Sequence, residues 1–117
     1  MGPLRLDLAA VKHEIPHDLE MDMAKAVARK AVESYQERFA SYGLTSNWTS
    51  DTKVDLTFNV KGKKLAGGLT VFGDRLVFEL DVPFVFRVFT GQATKIIDAE
   101  TREWIAKAKA GEISADA

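Results

Sequence analysis

His13 and His17 are the two histidines of the 117-residue chain, and on a helix a spacing of four turns two imidazoles to one side, as metal ligands require. Pro16 stands between them, however, and Val11, His13 and Ile15 alternate with Lys12 and Glu14, which is the pattern of a strand. On a strand and its exit the rings diverge, so a metal site would have to recruit distant carboxylates and a structural role is the simpler reading. Glu79 and Asp81 share the wet face of a predicted strand and could converge with Asp55 for acid–base work. A solvated sheet face explains the same three residues without chemistry. Asp51 and Asp74 fall at predicted turns, where an Asp carboxylate caps local backbone amides. No Ser-His-Asp arrangement, nucleophile elbow or phosphate-binding glycine loop accompanies them. The sequence therefore assigns no catalytic residue, no cofactor-binding residue, no cofactor and no metal ligand, and the expected function is non-enzymatic.

Three features suit binding rather than catalysis. Lys61, Lys63 and Lys64 surround Gly62 at a hairpin tip, a basic point that could meet phosphate or an acidic partner, although exposed turns carry lysine for solubility as well. Gly67-Gly68 interrupts a strand, marking a bulge, a bend or a close approach by backbone or ligand. The segment 82–89, VPFVFRVF, holds three of the seven phenylalanines. Phe84 and Phe86 continue an inward-facing set, whereas Val85 and Phe89 fall on the other face with Arg87. Phe84, Val85, Phe86 and Phe89 are accordingly the candidate interaction patch for a partner subunit or an apolar surface, with burial beneath a helix as the alternative.

These residues are positioned by elements that the spacing of apolar side chains predicts. A short strand ends at Pro16. A helix over about 21–42 carries Met23, Val27, Ala31, Tyr35, Phe39 and Tyr42 on one side, with Asp18 or Asp22 as its cap and Gly43 as its end. Residues 46–49, centred on Trp48, lead into an alternating run in which Val54, Leu56, Phe58 and Val60 face inward. Leu65, Gly67, Leu69 and Val71 form the next inward set, and Leu76, Phe78, Leu80 and Val82 the one after. The alternation runs past Pro83 to Val88, with a bend at the proline. A second helix follows Thr90-Gly91, with Ala93, Ile97, Thr101, Trp104, Ile105 and Ala108 on one side and Gly111 as its stop. The expected fold class is α+β: an antiparallel meander of four to five strands under two helices, in the order β-α-β-β-β-β-α. One domain is expected over 1–117, with its core at about 11–110 and mobile ends at 1–10 and 111–117.

With 16 basic and 17 acidic residues the formal charge is -1, so no global field draws the protein to nucleic acid. Absence of cysteine excludes disulfides and thiolate chemistry. Charges at Arg5, Asp7 and Lys12 break up any signal-peptide core, no apolar run suits a membrane span, and Leu6 stands where myristoylation favours Ser or Thr. A cytoplasmic location is expected.

The stretches HEIPHDLEMDMAKAVARKAVE, SNWTSDTKVDLTFNVKG, GGLTVFGDRLVFELDVPF and FTGQATKIIDAETREWI, spread over 13–105, together resemble the polyhydroxyalkanoic acid system protein family. These are small bacterial proteins encoded near genes for storage-polyester granules. The resemblance implies an accessory role at such granules, with the granule surface or its proteins as partners; a homo-oligomer is the assembly that the apolar patch of 82–89 would serve. It brings no active-site residues; Trp48, His17 and Gly62 fit its pattern without acquiring a role. The alternative is a small carrier of a hydrophobic or lipid-like ligand, or a small enzyme, with a pocket between sheet and helices in the manner of start-domain proteins, an analogy of fold alone.

Overall fold

A computed structural model describes residues 8–83 and 87–115. Strand β1 (Leu8–Pro16) is followed by helix α1 (Met21–Arg38), a 3₁₀ turn (Ala40–Tyr42), strands β2 (Thr45–Trp48), β3 (Lys53–Val60), β4 (Lys63–Val71) and β5 (Arg75–Pro83), and helix α2 (Arg87–Lys109). All pairings are antiparallel, and the sheet order is β1-β5-β4-β3-β2. The first strand thus closes onto the last, so that α1 spans the distance between the two ends of the meander.

Local chemistry sets the turns. Lys61 and Gly62 link β3 to β4 with φ of 51° and 81°, the two positive values of a hairpin turn whose twist matches the strands it joins. Gly111 (φ 76°) ends α2, and Glu112 N–H donates back to the Lys107 carbonyl at 2.8 Å, satisfying a carbonyl that the helix leaves without a partner. Helix α1 stops earlier than its apolar spacing suggested. Its regular turns end at Arg38, Phe39 is the residue that caps it, and Tyr42 is carried by the tighter 3₁₀ turn before Gly43 at φ 63°. Neither Asp18 nor Asp22 caps α1. Glu20 occupies the cap position without a side-chain bond, Asp22 sits in the first turn where its charge favours the helix dipole, and Asp18 accepts from Lys109 Nζ at 3.3 Å.

The alternating strands place Val54, Leu56, Phe58, Leu65, Leu69, Val71, Leu76, Phe78 and Leu80 on one buried face. Helix α1 covers it with Ala24, Val27, Ala28, Ala31, Val32 and Tyr35, and α2 adds Ala93, Ile97, Thr101, Ile105 and Ala108. Alanine at three of the six α1 positions lets that helix approach the sheet closely. Among the described residues three hydrogen bonds between side chains tie the helices together, one of them from the Arg38 guanidinium to the Glu100 carboxylate at 3.0 Å. Trp104 Nε1 donates to Ser34 Oγ at 2.7 Å, and the buried Tyr35 hydroxyl bonds to Thr101 Oγ1.

Helix α2 begins at Arg87, before the Thr90-Gly91 start that the sequence suggested, so Val88 and Phe89 are helical rather than extended. Phe89, Ala93 and Ile97 fall at the four-residue spacing of one helix face, and burying that face extends the helix towards its N-terminus. The strand-like alternation at Val88 is overridden: its side chain is 76% exposed.

Candidate functional site

The face of the sheet away from the helices carries a polar row across four strands. Lys12 on β1 stands opposite Glu79 on β5, Glu79 opposite Gly68 on β4, and Gly68 opposite Asp55 on β3. Gly68 leaves a hollow in this row, whereas Gly67, paired with Leu56 and Leu80, belongs to the inward-facing set. A Cβ on Gly67 would stand 2.5 Å from the Glu79 carbonyl oxygen, and one on Gly68 would stand 3.1 Å from the Val54 carbonyl. Of the bulge, bend and close approach that glycines in mid-strand allow, the pair marks a close approach of backbones. The result is an open cavity of about 250 Å³ floored by Gly67 and Gly68 and bordered by Lys12, Lys53, Glu79 and Asp81. Lys53 Nζ lies 3.7 Å, and Asp55 Oδ1 4.0 Å, from the position of a Gly68 Cβ. Two ammonium groups and two carboxylates around exposed backbone suit polar contacts of mixed sign. They do not suit acid–base catalysis. Glu79 and Asp81 are exposed, and the strand of Gly68 separates Glu79 from Asp55, holding their backbones roughly 10 Å apart at ordinary strand spacing.

The two histidines serve separate purposes. His17 Nε2 donates to the Phe72 carbonyl at 2.9 Å, and its Nδ1 accepts from Leu19 N–H at 3.1 Å. That pair of bonds selects the Nε2–H tautomer and fastens the chain leaving β1 to the β4–β5 turn. His13 Nε2 meets Asp98 Oδ1 of α2 at 3.2 Å, and Arg102 Nε reaches the same carboxylate at 2.7 Å. Partial burial pushes the Asp98 carboxyl up, but the bonds from His13 and Arg102 and their charges outweigh it and hold the group below the usual carboxylate value. Among the described residues no three His, Asp or Glu side chains gather as a metal site.

Asp51 takes its own backbone amide at the turn and also reaches α1. It accepts from Lys25 Nζ at 3.0 Å, while Ser50 Oγ takes the Thr52 amide at 3.2 Å. The bond lowers the Asp51 carboxyl and raises the Lys25 amine, stabilising both charged forms. Asp74 bonds to Arg75 at 2.8 Å, and its carbonyl accepts from His17 N–H. Lys61, Lys63 and Lys64 are exposed at the β3–β4 tip. A second hollow of about 230 Å³, which the sequence did not single out, lies between Arg29, Trp48, Ser50 and Asp51; it exists because α1 comes to rest beside the β2–β3 turn.

Of the apolar patch, Phe84, Val85 and Phe86 lie outside the described residues. Phe89 turns inward and is half-buried, its ring 5.2 Å from that of Tyr42 and 5.6 Å from that of Phe58. Val88 instead presents the exposed apolar side chain at the start of α2. Phe72 (39%) and Met21 (38%) are also exposed, and the Arg75 guanidinium lies 4.4 Å from the Phe72 ring centre. Between sheet and helices, Tyr35, Phe39, Leu44, Leu56, Phe58, Phe78, Ala93 and Ile97 leave about 10 Å³, less than a ligand of any size needs.

Two helices packed on one face of a five-stranded antiparallel sheet define an α+β fold that is similar to the crystal structure of the Zhui aromatase/cyclase from Streptomyces sp. R1128. The TM-score is 0.51 at 12% identity, over 92% of this chain and 98% of that one. At that identity the likeness concerns the fold. Among curated proteins none matches the chain. The sequence over residues 11–105 matches the family described as "Putative polyhydroxyalkanoic acid system protein", and the chain belongs to that family.

Proposed function

We propose that the protein is a non-enzymatic binding module of the storage-polyester system that meets the granule, its polymer surface or its coat proteins, through the apolar start of α2. The observation that carries this reading is Val88, a branched apolar side chain 76% exposed in the first turn of α2, next in sequence to Phe84, Val85 and Phe86. Family membership supports the polyester context. The filled space between sheet and helices favours a surface contact over an enclosed hydrophobic ligand. Phe89, half-buried against Tyr42 and Phe58, anchors the segment from below.

The test is co-sedimentation of the purified chain with polyhydroxyalkanoate particles. Val88→Ser is expected to leave stability within about 0.5 kcal/mol, as exposed substitutions do, and to weaken binding. Phe89→Ser is expected to lower the melting temperature as well. Sedimentation no greater than that of a size-matched control, or binding indifferent to Val88→Ser, would overturn the reading.

A further inference from the structure

The sheet has two edges, and they differ. Strand β2, at one end, is four residues long, whereas β1, at the other, is nine and pairs on one side only with β5. Among the described residues no strand occupies its second side. Unpaired amide and carbonyl groups on a strand of this length form a template for another strand.

Which groups face outward follows from the register. His17 N–H donates to the Asp74 carbonyl at 2.9 Å, continuing the pairing that sets Ile15 against Leu76 and His13 against Phe78. Backbone groups alternate in direction along a strand, so the odd-numbered residues point to β5. The even-numbered ones, Ala10, Lys12 and Glu14 among them, offer their backbone N–H and C=O groups to the open edge. Lys12 and Glu14 also carry their charges on the exposed sheet face, with side chains 61% and 51% accessible.

We propose that this edge pairs antiparallel with β1 of a second copy of the chain, Lys12 standing opposite Glu14 of that copy and Glu14 opposite its Lys12. The parity is self-consistent. Both residues present backbone groups outward, so they form the hydrogen-bonded pairs, while His13 meets its own equivalent on the two-fold axis as a non-hydrogen-bonded pair with Cα atoms about 4.5 Å apart. One two-fold axis yields two complementary ion pairs on the solvent face, as an isologous interface requires. A single-sign edge would repel itself; Lys12 followed two residues later by Glu14 is complementary to its own reversal. Pro16, which has no N–H, limits the ladder on the far side of each pair. The pairing rests on the sheet edge alone and is independent of the granule reading.

Sedimentation equilibrium of the full chain tests it. The wild type is expected to be a dimer. Lys12→Glu and Glu14→Lys each set like charges face to face and should weaken dimerisation by about tenfold, two pairs being affected at once. The combined Lys12→Glu/Glu14→Lys exchange restores opposite charges and should recover the dimer. Glu14 also meets Arg75 at 3.5 Å, so melting curves accompany each variant, and a second measurement stands apart from charge. In this cysteine-free chain, His13→Cys places one thiol on the two-fold axis within disulfide reach of its equivalent. It should oxidise to a covalent dimer, whereas Asn47→Cys on the β2 edge should not. A monomeric wild type overturns the proposal and leaves the edge to a foreign strand. A dimer insensitive to both single exchanges, or equal cross-linking from the two edges, also overturns it.

Discussion

Thr101 has one hydroxyl hydrogen, and the Ile97 carbonyl takes it at 2.6 Å, so Tyr35 must be the donor in the bond between the two side chains. Burial pushes the Tyr35 phenol far above its ordinary value, more than the bond to Thr101 lowers it; it stays neutral and needs an acceptor. An asymmetry is expected. Thr101→Val leaves a buried phenol without a partner and should cost about 1–3 kcal/mol, while Tyr35→Phe leaves Thr101 still bonded to Ile97 and should cost about 0.5–1.5 kcal/mol. Urea denaturation of both variants checks the order, and a larger loss for Tyr35→Phe would reverse the donor assignment. Asp98 gives a pH dependence of defined sign. Its folded-state value lies below that of the unfolded chain, about 3.9. Its contribution is therefore complete above the unfolded value and is lost as pH falls through the folded one. The gap in melting temperature between wild type and Asp98→Asn should hold steady down to about pH 5 and narrow below about pH 4; a gap as wide at pH 3 as at pH 7 would show that the carboxylate charge does not matter.

At the scale of elements, the glycines separate two kinds of constraint. Gly67 faces the Glu79 carbonyl at a distance no Cβ can occupy, so Gly67→Ala must displace backbone and is expected to cost about 1–3 kcal/mol. Gly91 lies inside α2 with open space around it; there Gly91→Ala removes unfolded-state freedom and should stabilise by about 0.5–1 kcal/mol. Chemical denaturation of the two variants should give opposite signs, and a neutral Gly67→Ala would show that the approach of the Glu79 carbonyl does not require glycine there. Gly67-Gly68 could be recognised from the sequence because glycine within an alternating strand is locally anomalous. The start of α2 could not. Phe84, Phe86 and Val88 continue the strand period, and the contact of Phe89 with Tyr42 and Phe58, which extends the helix to Arg87, joins residues that local periodicity does not relate.

For the whole molecule, the rings of Phe39, Tyr42, Phe58 and Phe89 form one aromatic cluster of the core. Phe58→Ala is expected to remove about 3–5 kcal/mol from a total of about 5–15, visible as a large drop in melting temperature; an unchanged melt would place Phe58 outside the core. Periodicity along the chain determined the fold class, the order β-α-β-β-β-β-α and the inward faces of β3, β4 and β5. Side-chain direction repeats every two residues in a strand and every 3.6 in a helix, and those repeats are written locally. The closure of β1 onto β5, the meeting of His13 with Asp98, the pairing of Asp51 with Lys25 and the filling of the interior were decided only by the tertiary structure. Each joins groups far apart in the chain, and which partner a side chain reaches depends on how the layers stack and how much volume their residues occupy, quantities that no local repeat encodes.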